Sequence, residues 1–494
     1  MIENTGKLNA LKAPGLLRFF CWALILMISL YAFFVFFQNQ FYYIDSDTFY
    51  YLSIADSLEQ NGQFLDLTMS PPQGLATPQN GIVVIYYLIG LFVSSPGMKI
   101  QIVVILNYLA LLLSIYPLLK ITRILKIESF PAQMSILAVY LCGWHMIRFQ
   151  LSPINDGLFR TGFLWLIYWI LQVTINDRNL KQLWKESKGV LVCGCVLSIL
   201  LIHFRLNAMV IPVAGLLAAL LTKNKNVAWI MLVIGILMAV SIVLPYTFAP
   251  LSRIQGISQN SWHHIFQNFF LHVRTFLSEF SRAVFSDLGT NGNMLTLVFM
   301  LAVAIGCYQG YRKKEYAPLF ISLVCIGSFT FLLSFTATPY RMFLPIFILL
   351  YLLMFNISFL RSIGYLFAFV VVWQSLMFFC SGDKVMPQVA FWEHVSRVVK
   401  TEPSDYLLIT NRPHQAYYFT GMSGTDRRAY TWLDIQEKEK IYIAGDESLI
   451  KKHKEKIETL AHQNHVTVNY LCLTPDYSDS SGRAVFCVIV EDNQ

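Results

Sequence analysis

Two carboxylates, Asp45 and Asp47, follow within ten residues of the first long apolar run, 19–37. That run is long enough to cross the ~30 Å hydrocarbon core as a helix. An acid at the membrane surface, followed by an amphipathic rather than a spanning segment, suits chemistry on a substrate that the bilayer presents. A carboxylate in a partly dry site has a raised pKa and can take the proton of an attacking hydroxyl. Further along, short polar turns carry charge at membrane depth: Asp156 in Ser152-Pro-Ile-Asn-Asp, Arg205 in His203-Phe-Arg-Leu-Asn207, and Arg341 in Thr338-Pro-Tyr-Arg341. Ionisable groups there are expensive and mark a cavity, an ion pair or a site. A fixed guanidinium can hold a phosphate and stabilise a leaving group's charge. Arg205 and Arg341, with Lys99 as a third cation, are therefore the expected donor-phosphate ligands. The alternative for Asp156 is a structural ion pair with Arg205 or Arg341. Tyr50, Tyr51 and Trp262 offer stacking faces to sugar rings, and His263 is grouped with them as a substrate contact.

The split pair Asp45-Ser-Asp47 could hold a divalent ion such as Mg or Mn, without the pattern requiring any cofactor. No histidine cluster has metal-site spacing, and Cys193-x-Cys195 lacks the second ligand pair that zinc would need.

These residues need a membrane scaffold. Hydrophobic residues make up 56% of the 494 and charged ones 13%, which excludes a soluble globular enzyme and indicates a polytopic membrane protein. The net charge of +8 is not gathered into a nucleic-acid patch. It falls in short clusters between apolar runs, such as Lys120/Arg123/Lys126, Lys223/Lys225 and Arg312/Lys313/Lys314. Such clusters belong in the cytoplasm. Residues 38–98 contain no Lys or Arg and so belong outside. The spans expected are 19–37, 100–119, 132–148, 157–174, 189–204, 208–222, 226–244, 293–310, 317–335, 342–358 and 362–379. Eleven crossings from a cytoplasmic N-terminus put the C-terminus outside. The run 82–93 is too short to cross and is expected to lie in the outer interface.

The expected division is thus a transmembrane catalytic domain, 1–379, with a first outer loop at 38–99, followed by a small soluble α/β domain at 380–494. In the latter, 406–410 and 440–444 pattern as strands and 449–462 as an amphipathic helix. A hairpin is expected from 466–473 and 484–490. A tight symmetric hairpin would set Cys472 opposite Cys487, allowing a disulfide in an oxidising compartment.

At this point the chain resembles the GT-C superfamily of membrane glycosyltransferases, which includes protein O-mannosyltransferases, lipid A aminoarabinose transferases and arabinosyltransferases. The family pattern has an acid just outside the first span, an aromatic four residues later and a small residue eight later. Asp47, Tyr51 and Ala55 match it. The turns holding Asp156, Arg205 and Arg341 resemble later family elements, so the likeness covers 19–379 in order. It departs in the first loop, where Ala76-Thr-Pro78 replaces a His-Pro-Pro or Lys-Pro element. The resemblance implies an inverting glycosyltransferase at the outer face of a bacterial inner membrane. Its donor would be a polyprenyl-phosphate sugar, its acceptor a glycan, lipid or protein. Asp47 would be the general base, with Asp156 and Asp45 as further acids. Competing readings are an O-antigen polymerase or ligase and a lipid-glycan transporter, though no internal repeat of the transporter kind is visible.

Overall fold

The computed structural model of the chain describes residues 15–38, 46–66, 73–74, 81–175, 185, 188–246, 290–333, 343–380, 391–392, 394–396, 406–410, 424–425, 435, 440–474 and 483–492. In hydrocarbon every backbone N–H and C=O must find its partner within the segment, so apolar runs become helices. These are α1 (Gly15–Gln38), α2 (Ser46–Asn61), α3 (Gly81–Gly90), α4 (Pro96–Ile124), α5 (Phe130–Cys142), α6 (Trp144–Leu151), α7 (Asn155–Ile175) and α8 (Lys188–Phe204). A short 3-10 turn, Leu206–Met209, leads into α9 (Val210–Leu221) and α10 (Lys225–Tyr246). Then come α11 (Thr290–Lys313), α12 (Tyr316–Leu333), α13 (Leu344–Asn356) and α14 (Arg361–Cys380).

Four helices are long and apolar enough to cross a membrane among the described residues: Gly15–Gln38, Pro96–Ile124, Lys225–Ile242 and Ser358–Met377. The segment 132–148, expected as one span, is instead two helices broken at Gly143. The Trp144 amide there donates to Ser375 Oγ of α14 at 2.7 Å. Helix α3 covers most of the run expected at the interface. Its 10 residues give a length of about 15 Å, half the hydrocarbon thickness.

The chain divides into two compact units. The first holds Met1–Gln38, Thr77–Gly81 and Val103–Gly382. Helix α13 is its centre: every residue from Leu344 to Phe355 is buried, as expected for a helix that is apolar all round. Tyr351, in its middle, donates its hydroxyl to the Gly364 carbonyl of α14 at 2.6 Å. Helix α1 instead exposes Leu16, Phe19, Phe20, Met27 and Phe34, and α14 exposes Leu366, Phe369 and Trp373. Such faces are suited to lipid rather than water.

The second unit holds Asn39–Ala76, Ile82–Ile102 and Asp383–Gln494. Strands β1 (Leu65–Asp66) and β2 (Gln73–Gly74) form a small antiparallel pair. Strands β3 (Tyr406–Thr410), β4 (Gly424–Thr425), β5 (Lys440–Gly445), β6 (Val466–Cys472) and β7 (Ala484–Asp492) form a sheet of order β4-β3-β5-β7-β6. Helix α15 (Glu447–Gln463) buries Leu449, Ile450, His453, Ile457 and Ala461. Asp446 caps it by accepting from the Leu449 amide at 2.9 Å. Leu407, Ile409, Ile441 and Ile443 pack with Ile450 and Ile457 on one side. On the other, Leu408, Tyr442 and Ala444 pack with Phe391 and Trp392.

The symmetric hairpin expected between β6 and β7 is one residue out. Cys472 lies opposite Phe486 and Cys487 opposite Leu471, and both thiols are free. The physical cause is burial. Val468 and Tyr470 pack with Phe486 into the α15 side of the sheet, while Cys487 packs into the other. A shift of one residue moves a side chain to the opposite face, so the two sulfurs cannot bridge in this register.

Candidate functional site

Helix α7 begins at Asn155 and carries Asp156 in its first turn, where a carboxylate meets the positive end of the helix dipole. Helix α8 packs against α7 where Gly194 meets Trp169: a Cβ on Gly194 would fall 2.2 Å from Trp169 Cε2. The Trp169 indole N–H also donates to the Val190 carbonyl at 2.9 Å. This contact brings the end of α8 to the start of α7. Arg205 follows α8 directly, its amide closing the last turn onto the Leu201 carbonyl at 3.0 Å. Its Nη2 donates to Asp156 Oδ1. The side chains are only 7% and 6% exposed, so two charges are held together almost out of water. The pairing the sequence left as an alternative for Asp156 is therefore formed, with Arg205.

A buried polar network fixes the turn that carries Asp156. Asn107 of α4 donates to the Ser152 carbonyl at 2.7 Å. Gln150 donates to the Gly157 carbonyl at 3.0 Å and to Thr161 Oγ1 at 3.3 Å. Gly157 admits no side chain, because a Cβ would fall 2.2 Å from the Gln150 carbonyl oxygen and 2.7 Å from Asn107 Oδ1. Arg160, one turn beyond Asp156 and 1% exposed, donates from Nη1 to the Met146 carbonyl at 2.9 Å. Its Nε and Nη2 find no hydrogen-bond partner among the described residues. Asn107, Gln150 and Arg160 were not singled out from the sequence. The signal for Arg160 and Asn107 was there: a charge and an amide inside long apolar segments.

In the second unit, Asp47 lies in the first turn of α2. Tyr51 and Ala55, four and eight residues on, are buried, with Ala55 wholly enclosed. Asp47 itself is half-buried. The rings of Tyr50 and Tyr51 stand 5.4 Å apart, centre to centre. Lys99, expected as a phosphate ligand, is 3% exposed and forms ion pairs with Asp56 at 2.9 Å and Glu59 at 3.2 Å. Its charge thus fastens the start of α4 to the far end of α2. Asp45, Arg341, Trp262 and His263 lie outside the described residues. No group of three His, Cys, Asp or Glu side chains gathers among the described residues.

No protein-family model matches the chain, and no curated protein matches it in sequence. Solved structures do match in fold. ArnT from Cupriavidus metallidurans, bound to undecaprenyl phosphate, superposes with a TM-score of 0.57 at 11% identity, covering 94% of this chain and 97% of its own. The Archaeoglobus fulgidus oligosaccharyltransferase in complex with zinc and sulfate matches with a TM-score of 0.57 at 11% identity, over 93% of this chain and 72% of that one. The oligosaccharyltransferase AglB from the same archaeon, with an inhibitory peptide and a dolichol-phosphate, gives 0.55 at 8% identity, over 97% and 75%. At such identities the likeness is one of fold. The chain shares the fold of these proteins across most of its length.

Proposed function

We propose that the protein is a membrane glycosyltransferase that moves a sugar from a polyprenyl-phosphate donor to a glycan, lipid or protein acceptor, with inversion. The observation that carries this reading is the buried Asp156–Arg205 pair, set at helix ends in a fold shared with ArnT over 94% of the chain. ArnT bound to undecaprenyl phosphate and AglB with a dolichol-phosphate support a lipid phosphate as the donor carrier.

In this mechanism the Asp47 carboxylate removes the acceptor's hydroxyl proton. The freed oxygen attacks the anomeric carbon from the face opposite the phosphate. The bond from that carbon to the phosphate oxygen breaks, and polyprenyl phosphate leaves as an anion. A guanidinium has five N–H donors, so Arg205 can hold Asp156 on one edge and a phosphate oxygen on another. Asp156 would orient that fork, and Arg341 would supply the second cation. Lys99, already committed to Asp56 and Glu59, takes the part of holding α2 in place. Tyr50, Tyr51, Trp262 and His263 would contact sugar or acceptor. The reading also includes eleven crossings in a bacterial inner membrane, a cytoplasmic N-terminus, and an outer domain at 380–494 that covers the site or selects the acceptor.

The test is reconstitution. Purified protein given short-chain polyprenyl-phosphate sugars and a panel of glycan, lipid and peptide acceptors should yield a glycosylated acceptor and free polyprenyl phosphate by mass spectrometry. Joining of preformed lipid-linked glycans instead would favour the polymerase or ligase reading. Movement of the lipid-linked sugar across a vesicle without cleavage would favour transport.

A further inference from the structure

Among the described residues, four that are not glycine have positive φ, and three of them are lysines: Lys126 at 60°, Lys223 at 61° and Lys314 at 54°. Each closes a helix in the same way. The Lys126 amide donates to the Arg123 carbonyl and the Ile127 amide to Thr122; Lys223 and Asn224 donate likewise to Leu220 and Ala219, and Lys314 and Glu315 to Tyr311 and Gly310. This paired cap requires a left-handed residue and normally takes glycine, which has no Cβ to clash. The chain uses Gly62, at 66°, to end α2. Attraction of a cation to a helix C-terminus does not require this strain, since Arg123 and Lys313 already stand in the last turns of α4 and α11.

The three lysines share one end of the first unit. A cavity of about 270 Å³ is lined by Leu125, Lys126, Thr174, Glu315, Tyr316 and Asn356, which joins the ends of α4, α7 and α13 to the start of α12. Tyr316 donates its hydroxyl to the Gly215 carbonyl of α9 at 3.2 Å. At the other end of α12, Gly327 lies against Val210, the first residue of α9. Helices α9 and α12 are therefore antiparallel, and Lys223 ends beside the start of α12. Thr174 lies along α7 from Asp156 by about 27 Å, at 1.5 Å per residue, close to the thickness of a hydrocarbon core. The Asp156–Arg205 pair and the Lys126 cap thus stand near opposite ends of α7, about one hydrocarbon thickness apart. Lys126, Lys223 and Lys314 are exposed, as are Arg123, Lys225, Arg312 and Lys313. Glu315 partners Lys126 at 2.9 Å and Glu128 is also exposed, but the seven cations outnumber these two acids.

We propose that this end of the helix bundle is a docking surface for anionic phospholipid headgroups, with Lys126, Lys223 and Lys314 as headgroup ligands held in left-handed caps. The strain of one such residue and the attraction of one lysine to an anionic leaflet are of similar size. The lysines are therefore a liability beside neutral lipid and repaid only beside anionic lipid.

The full-length protein and its Lys126→Gly/Lys223→Gly/Lys314→Gly variant would be melted in phosphatidylcholine nanodiscs, with and without phosphatidylglycerol. In neutral lipid the glycine variant should melt higher than the parent, by about 2–4 °C or more. Phosphatidylglycerol should raise the parent and leave the variant nearly unchanged, closing or reversing the gap. A triple Lys→Asn variant, which tolerates the same backbone without the charge, should respond to phosphatidylglycerol as the glycine variant does, and keeps the test open if the latter does not fold. An equal rise in parent and variants would overturn the proposal, as would a lower melt of the glycine variant in neutral lipid. Stabilisation of the parent by inorganic phosphate in neutral discs, equal to that by phosphatidylglycerol, would overturn the lipid assignment.

Discussion

Among the described residues, Arg205 pairs with Asp156 in a setting from which water is nearly excluded, whereas Lys99 pairs with two carboxylates that still reach water. In the first pair both side chains are below 8% exposed. In the second cluster the lysine is 3% exposed, but Asp56 and Glu59 are 24% and 37% exposed. Desolvating two charges costs several kcal/mol, which their attraction repays only in part. A pair so placed is poor evidence for stability. The Lys99 cluster spends less on desolvation and acts as a staple between α2 and α4.

The contrast is broken or sharpened by removing one partner at a time. Arg205→Gln leaves Asp156 buried opposite a neutral side chain and should cost about 3–5 kcal/mol. A thermal melt in detergent reads this, and adding Asp156→Asn should recover most of the loss. If the double variant melts no higher than the single, the loss does not come from an unbalanced charge at Asp156. Lys99→Met should cost less, about 1–2 kcal/mol, because its two carboxylates can rehydrate. A loss there equal to that of Arg205→Gln would remove the distinction between the clusters. Glu315→Gln, which breaks the exposed pair with Lys126, should cost about 0–0.5 kcal/mol, within the scatter of a melt.

Much of the scaffold was legible because hydropathy survives as helix position. The long runs at 19–37, 157–174 and 189–204 became α1, α7 and α8 within a few residues. The break at Gly143 was not legible, since it depends on Ser375, more than 200 residues away in sequence, meeting the Trp144 amide. The hairpin register failed for a related reason. Symmetry about a turn is local, but the register of β6 and β7 follows which side chains the sheet and α15 can bury. In the candidate site, Asp156 and Arg205 were both visible as charges at membrane depth. Their choice of each other needed Gly194 against Trp169. The ion pairs of Lys99 were not legible, because nothing local ties it to Asp56 and Glu59, some forty residues earlier.

The central claim is that Asp47 is the base of a glycosyl transfer from a polyprenyl-phosphate sugar. Asp47→Asn, assayed in detergent beside Asp45→Asn with the same donor and acceptor, tests it most directly. The loss of a general base typically lowers the rate by ~100- to 10,000-fold, so Asp47→Asn should lose nearly all transfer while melting like the parent. Asp45→Asn should keep measurable turnover. An active Asp47→Asn beside an inactive Asp45→Asn would contradict the assignment.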